Sequence, residues 1–410
     1  MKICDLTQSY NPTSGGIRTY LHEKRRYLKK LPRHEHILIV PGEKDEMVKE
    51  ENLTIYCIKS PVIPRCEPYR FILRVDKVFS ILRKTKPNII ELGSAYLLPH
   101  VVFLYRLFFP VTLLGFYHTD FPTAYVYPAM HKVAGKHVAW FCRFLVEKYA
   151  RLIYNRFQMT FVCSQLMKEK LERMEIRNIK RINLGVDINV FHPGKKSAAF
   201  RREQGIKNEE ILFIYTGRLD SEKRIDVLLQ AFEQVSDKVN GKLILIGEGP
   251  YKDLVQRYEK QNSKIKLLPY ENDRHKLAKF LASSDIYLTA GPHETFGLSI
   301  VEAQSCGLPV IGVDGGALAE RVNSTVGALG AVDSIEAFRD NILALSVNGY
   351  KQKGINARKL VEENYNWQHT LSKLMAYYEK LHRRKVNRPS LHTTKMFSLG
   401  SRYHSGRHYS

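Results

Sequence analysis

The chain has 410 residues and a formal net charge of +23, from 64 Lys and Arg against 41 Asp and Glu. Its 44% hydrophobic and 11% aromatic content exclude a disordered chain, and its length passes the ~250 to 300 residues at which single cores stop growing, so two domains are expected. Six scattered cysteines with no CxxC pair exclude a disulfide scaffold and read as free thiols of a reducing compartment; the positive field selects acidic partners, whether phosphorylated substrate, anionic lipid or nucleic acid, without choosing among them.

The start, MKICDLTQSYNP, has no apolar core behind a basic stretch, which argues against a secretory signal. Residues 2–6 read as a short strand leading into SYNPTSGGIRTYLHEKRRYLKKL. There Gly15 and Gly16 precede an amphipathic run with Ile17, Tyr20, Leu21 and Leu28 on one side. A double glycine opening a helix permits close approach to a phosphate, although a plain turn has the same look. Residues 36–40 and 53–58 continue as strands, 71–83 as a helix and 88–92 as a strand. The apolar run 97–116 nears membrane-spanning length, yet it holds Pro99, His100, Arg106 and Pro110, so a buried helix followed by a buried strand explains it.

Strands alternating with helices imply a parallel sheet covered on both faces, with ligands beyond the carboxyl ends of its strands. In YHTDFPTAY, His118 and Asp120 follow the strand 111–117 and stand at such a place. Residues 125–157 are basic and aromatic, with six Lys or Arg against Glu147 alone between Lys132 and Arg156. Such a helix either lies on an anionic membrane or gives its apolar side to the core. After a strand at 158–164, residues 181–185 close the first half, and the turn-rich NLGVDINVFHPGKKS reads as a linker.

A second alternation begins at Ile211, with further strands at 243–246, 265–268, 286–289 and 309–313. Residues 366–384 form a terminal helix with Leu371, Leu374, Met375, Tyr378 and Leu381 on one face. The basic tail 385–410 is expected to be disordered. The resulting α/β plan has a first Rossmann-like domain at 1–185, a second at 186–365, the terminal helix at 366–384 and the tail at 385–410.

The chemistry concentrates in AGPHETFGLSIVEAQSCGLPVIGVDGG. Glu294 and Glu302 flank a loop that ends where a helix begins. The amides around Phe296, Gly297 and Leu298 have no intrahelical partner and carry the positive end of the dipole, which suits phosphate. Two carboxylates beside a phosphate fit a sugar nucleotide, whose hydroxyls they can accept from. Upstream, GRLDSEK places Arg218 and Lys223 across a turn into a helix, where two cations can stabilise a departing diphosphate. No DxD pair stands beside them to carry a metal.

GGIRTY, HTDFP, NLGVDINVFHP, GRLDSEK, LIGEGP and HETFGLSIVEAQSCGLPVI together resemble the retaining, nucleotide-sugar-dependent glycosyltransferases of the GT-B fold, over roughly residues 1–380. The resemblance implies two Rossmann-like, doubly wound parallel-sheet domains facing across a cleft. It implies that Arg218 and Lys223 bind the donor diphosphate with the Gly16 backbone and the amides of Gly297 and Leu298. Glu294 would accept from sugar hydroxyls, Phe296 and Gly297 would line the same pocket, and Glu302 would hold the ribose. The base would lie near Leu268, Pro269 and Tyr270. His118 would contact the sugar, with Asp120 beside it.

No cofactor is implied beyond the donor, and no metal. The subgroup most resembled glycosylates a lipid or glycan acceptor with GDP-mannose or a UDP-sugar, in the cytoplasm or on the inner face of the plasma membrane. Two rival readings are a nucleotide-sugar epimerase of the same fold and a nucleic-acid-binding protein suggested by the charge, though no recognition helix or aromatic RNA motif supports the latter.

Overall fold

The computed structural model describes residues 1–10, 16–63, 69–94 and 96–386. Gly15, Cys66 and the tail from residue 387 lie outside the described residues. Two sheets carry the fold. The first comprises β1 (Lys2–Leu6), β2 (Glu35–Gly42), β3 (Glu46–Glu50), β4 (Leu53–Lys59), β5 (Ile89–Leu92), β6 (Thr112–Phe116), β7 (Met159–Val162) and β8 (Ile179–Arg181), in the order 3-4-2-1-5-6-7-8. The second comprises β9 (Ile211–Thr216), β10 (Gly241–Ile246), β11 (Ile265–Leu268), β12 (Ile286–Leu288), β13 (Val310–Val313) and β14 (Gly327–Gly330), in the order 11-10-9-12-13-14.

Both sheets are parallel apart from the β3–β4 pair. Central strands such as β9 are buried along their whole length, because helices cover both faces. Register follows from the same apolar runs: Cys4 of β1 lies between Ile37 and Ile90, all three buried.

Several elements depart from the expectation, each for a physical reason. β3 (EMVKE) is exposed throughout, so it has no apolar face to betray it, and it is an antiparallel edge. β14 (GALG) was also not foreseen; its small residues pack tightly against β13. The helix expected from residue 71 begins at Val75, since Phe71 N–H donates to the Pro61 carbonyl (2.9 Å) and holds the preceding residues extended.

The stretch after Gly185 is not a loose linker. Leu184, Val186 and Phe191 are buried, and Val186 N–H donates to the Tyr365 carbonyl at 3.0 Å. Here the chain crosses from the first half to the second directly beside the place where it returns. The two crossings are so close that a Cβ on Gly185 would lie 2.4 Å from the Trp367 nitrogen, which only glycine avoids.

The return crossing leads into the helix Trp367–Val386, which lies back on the first sheet. Of its expected face, Leu371, Leu374, Met375 and Tyr378 are buried. Tyr378 reaches a closed ionic cluster. Lys24, 1% exposed, donates to Asp5 (2.7 Å), Glu91 (3.1 Å) and the Tyr378 hydroxyl (2.6 Å). Tyr20 donates to Glu91 (2.7 Å), Tyr378 also donates to Glu91, and His36 meets Asp5 at 2.5 Å. Burial would push the Asp5 carboxyl up, but Lys24 and His36 outweigh it and hold the group well below the usual range.

Removing one member of a buried pair strands the other charge. Lys24→Met takes the ammonium from both carboxylates, leaving Asp5 with His36 alone, and should cost about 3–5 kcal/mol of unfolding free energy in urea titration. Tyr378→Phe, which deletes one hydroxyl, should cost less, about 1–3 kcal/mol.

Candidate active site

The carboxyl ends of both sheets face one another, and the loops there form the site. On the first half, β6 ends at Phe116 and the chain turns through His118 into one π-helical turn, Pro122–Val126, and the long helix Tyr127–Tyr154. The His118 ring stacks on Phe116 with centroids 4.0 Å apart and lies 5.3 Å from the Tyr20 ring. Desolvation pushes its pKa down to about 3, so the imidazole is neutral. A neutral ring can donate or accept a hydrogen bond without adding charge.

Asp120 is differently placed. It is buried and already engaged: Lys170 donates to Oδ2 at 2.6 Å and the Tyr117 hydroxyl to Oδ1 at 3.2 Å. Lys170 also donates to Thr123 (2.5 Å), so the carboxylate ties the turn to a neighbouring helix.

On the second half, β9 leads into the turn that carries Arg218 and Lys223. Asp220 caps it by accepting from Lys223 N–H at 3.1 Å. The two cations are not bare, contrary to the simplest reading of the motif. Arg218 pairs with Asp220 (3.1 Å) and Glu222 (2.5 Å), and Lys223 pairs with Glu294. Burial opposes charge on both, yet these carboxylates hold both groups above their ordinary pKa values. Three acids around two bases make the unliganded cluster net negative. Any anion entering this cluster would have to take the cations over from their carboxylates.

Glu294 lies in the loop that ends at Gly297. Gly297 sits at φ +77, a left-handed conformation that costs a side chain dearly, and it starts the helix Leu298–Ser305. Gly16, first residue of the helix Gly16–Lys29, faces this start across the cleft, its Cβ position 3.4 Å from Leu298 Cδ1. Phe296 behaves otherwise than expected. Its ring is buried, 5.8 Å from Tyr365 with the Arg321 guanidinium 4.3 Å above it, so it can offer a ligand only its main chain.

Glu302 follows one turn into that helix. Among the described residues it has no hydrogen-bond or ion-pair partner. Burial pushes its pKa up to about 7; Arg274 opposes the shift and Glu23 adds to it. Pro269 and Tyr270 follow β11, where the Tyr270 hydroxyl feels the Glu302 charge.

Contacts between the halves complete the site, and none was visible in the sequence. Thr295 Oγ1 donates to the His118 carbonyl at 2.7 Å, fixing the loop of Glu294 to the loop of His118. The Tyr125 hydroxyl donates to Glu222 at 3.1 Å. Farther along the cleft, Arg274 pairs with Glu23 at 2.5 Å, and Arg321 donates to the Cys163 carbonyl at 3.1 Å. Among the described residues no group of three or more His, Cys, Asp or Glu could share a metal ion.

Residues 14–190 match the family described as Glycosyltransferase Family 4, and residues 196–367 match Glycosyl transferases group 1. A GDP-mannose-dependent alpha-(1-6)-phosphatidylinositol dimannoside mannosyltransferase of Mycobacterium tuberculosis is 27% identical over 92% of this chain and 95% of its own length. A GDP-mannose-dependent alpha-mannosyltransferase of Corynebacterium glutamicum is 25% identical over 80% and 76%. Among solved structures, sucrose-phosphate synthase of Thermosynechococcus elongatus superposes with a TM-score of 0.77 at 19% identity, covering 93% of this chain and 99% of that one. The architecture is GT-B: two Rossmann-like parallel-sheet halves.

Glu302 offers a test by titration. Its folded pKa lies above the ordinary 4.5, so its contribution to stability is complete below that value and is lost as pH rises to about 7. Between pH 4.5 and 7 the melting temperature of the wild type should fall relative to Glu302→Gln, whose amide does not titrate. Parallel curves would remove this account of the group.

Proposed function

Because the chain belongs to the glycosyltransferases of group 1 and family 4, we propose that it moves a hexose from GDP-mannose, or next a UDP-sugar, to a lipid or glycan acceptor with retention of configuration. The observation that carries this reading is the junction of Glu294, Lys223 and the Gly297 helix start with the His118 loop across the cleft. The two GDP-mannose-dependent relatives support the choice of donor. In this reading residues 1–185 serve the acceptor, residues 186–365 hold the donor, and the terminal helix secures the first part.

The donor diphosphate takes Arg218 and Lys223 from their carboxylates and receives amides from Gly297 and Leu298, with Gly16 closing from the opposite side. Lys223 released from Glu294 is the useful event. It leaves one oxygen pair free to accept from the sugar hydroxyls as the ammonium turns to phosphate. Glu294 is thus a positioning group and not a nucleophile. His118, neutral, hydrogen-bonds the sugar, and Glu302 accepts from the ribose, with the base against Pro269. Asp120, engaged by Lys170, holds the His118 turn and takes no proton.

Transfer then joins the acceptor oxygen to the anomeric carbon on the face the phosphate leaves. The bond to the phosphate oxygen breaks, and the acceptor proton passes to that oxygen. Fixed cations stabilise the developing charge in a site closed to water, and no metal ion is required by this arrangement.

The helix Tyr127–Tyr154 suits a lipid acceptor. Gly135, at φ +80, interrupts it, and beyond the break Trp140, Phe141, Phe144, Leu145 and Leu152 are exposed. Leu104, Leu107 and Phe108 of the adjoining helix Leu98–Phe108 are exposed too, so the apolar run there is buried on one side only. Arg106 donates to the Arg156 carbonyl at 3.1 Å and ties its helix to the turn that follows the long one. No helix among the described residues is long and apolar enough to cross a membrane. An anionic surface, reached from the cytoplasmic side, is the partner this face fits.

Lys223→Ala and Glu294→Ala should each lower kcat by two orders of magnitude or more in buffer containing EDTA, with unchanged far-ultraviolet spectra. Near-wild-type rates would sink the site assignment. Vesicles with anionic headgroups should sediment the protein, less so as salt rises, and Trp140→Glu with Phe141→Glu should abolish this. Sedimentation unaffected by that double change would put the membrane face elsewhere.

A further inference from the structure

The short helix Leu318–Arg321 of the second half grips the first half with two adjacent side chains. Glu320 accepts from the Leu166 N–H at 2.7 Å, in the first turn of the helix Gln165–Arg173. Arg321 donates to the Cys163 carbonyl at 3.1 Å, just beyond β7. An acid and a base thus hold a main-chain donor and a main-chain acceptor of one strand-to-helix junction. Arg321 is 2% exposed, and among the described residues its side chain makes no other hydrogen bond. A guanidinium that deep, satisfied from the opposite half, loses its acceptor when the halves part.

We propose that Glu320 and Arg321 are positioning residues for Glu294: their grip on the first half sets the backbone that carries the sugar contact, which is correct only while the halves are closed. The inference rests on the glycosyl-transfer reading and adds to it the residues that couple closure to the donor loop. Ala317 N–H, immediately before the short helix, donates to the Glu294 carbonyl at 2.7 Å. Gly316, at φ +56, lies so near that a Cβ there would stand 2.7 Å from the same oxygen and 2.9 Å from the Glu294 nitrogen. Residues 316–321 therefore cannot shift without moving Glu294. At the other end the Arg321 guanidinium covers the Phe296 ring at 4.3 Å, and Gln304, on the helix that Gly297 starts, donates to the Arg321 carbonyl at 2.9 Å.

On the first half the gripped helix reaches the opposite wall of the cleft. Its Lys170 donates to Asp120 at 2.6 Å and to Thr123 at 2.5 Å, both in the His118 turn, and the His118 carbonyl receives Thr295. The contacts close a ring. It runs from Glu294 through Ala317 and Glu320 into the first half, then through Lys170 and the His118 turn back to Thr295, the neighbour of Glu294. Removing Glu320 opens this ring without deleting any group assigned to substrate. A contact that only cemented the halves would change stability alone, whereas a positioning contact changes what the sugar adds to binding.

The test uses the full-length protein and the variants Glu320→Ala and Glu320→Gln, titrated calorimetrically with GDP-mannose and separately with GDP, with amide hydrogen exchange followed at residues 292–297. Glu320→Ala should weaken GDP-mannose at least tenfold and leave GDP within twofold, since Arg218, Lys223 and the amides are untouched. Exchange at 292–297 should quicken severalfold in the same variant. Glu320→Gln, whose amide oxygen still accepts from Leu166, should recover most of both effects. Binding of GDP reports that each variant is folded. Equal losses for GDP and GDP-mannose, or unchanged affinity with unchanged exchange, overturn the proposal. A wild type that binds neither ligand overturns the donor reading instead, and wild-type exchange rates in Glu320→Ala then overturn the positioning role by themselves.

Discussion

The ammonium of Lys24 is the interaction on which the rest of the molecule is hung. It sits on the helix that begins at Gly16, is neutralised by carboxylates of the two central strands, and receives the hydroxyl of a residue from the last helix. A charge this far from water is tolerated only when every partner is in place. The cluster therefore fixes three things together: the register of that helix on its sheet, the approach of Gly16 to Leu298, and the docking of the terminal helix. It also makes the first half incomplete without the end of the chain.

At the cleft the same economy of charge serves a different end. Arg218 and Lys223 are paired with Asp220, Glu222 and Glu294, and under the proposed function they exchange those carboxylates for phosphate. On that proposal, Lys223 leaving Glu294 would tie diphosphate capture to readiness of the sugar contacts. Thr295, bonded to the His118 carbonyl, makes the approach of the two halves part of the same event.

Much of this was legible in the sequence because local physics wrote it there. Fully buried strands such as β9 advertise themselves by unbroken apolar runs, and Gly297 marks a backbone turn that other residues resist. GRLDSEK and HETFG stand out by residue type, and the structure brings Lys223 of one against Glu294 of the other. What stayed hidden depends on distance along the chain or on the absence of pattern. Lys24 and Tyr378 are 354 residues apart, and no periodicity links them. EMVKE forms an edge strand with nothing to bury. Phe296 stands between Glu294 and Gly297 but is claimed by Tyr365 and Arg321, and Tyr125, which opens the basic aromatic stretch, is joined to Arg218 through Glu222. The long helix could not be assigned to core or surface from composition, since both uses require the same residues.

That outward face of Trp140, Phe141 and Leu145 has a colloidal consequence. Away from lipid, two copies meeting there would hide the same rings from water, and the surrounding lysines and arginines are what keep them apart. Ionic strength removes the repulsion between copies by screening it, and under the proposed membrane contact it would also loosen the grip on acidic headgroups. The dispersed protein is thus the low-salt state, and the clustered one is its alternative as salt rises.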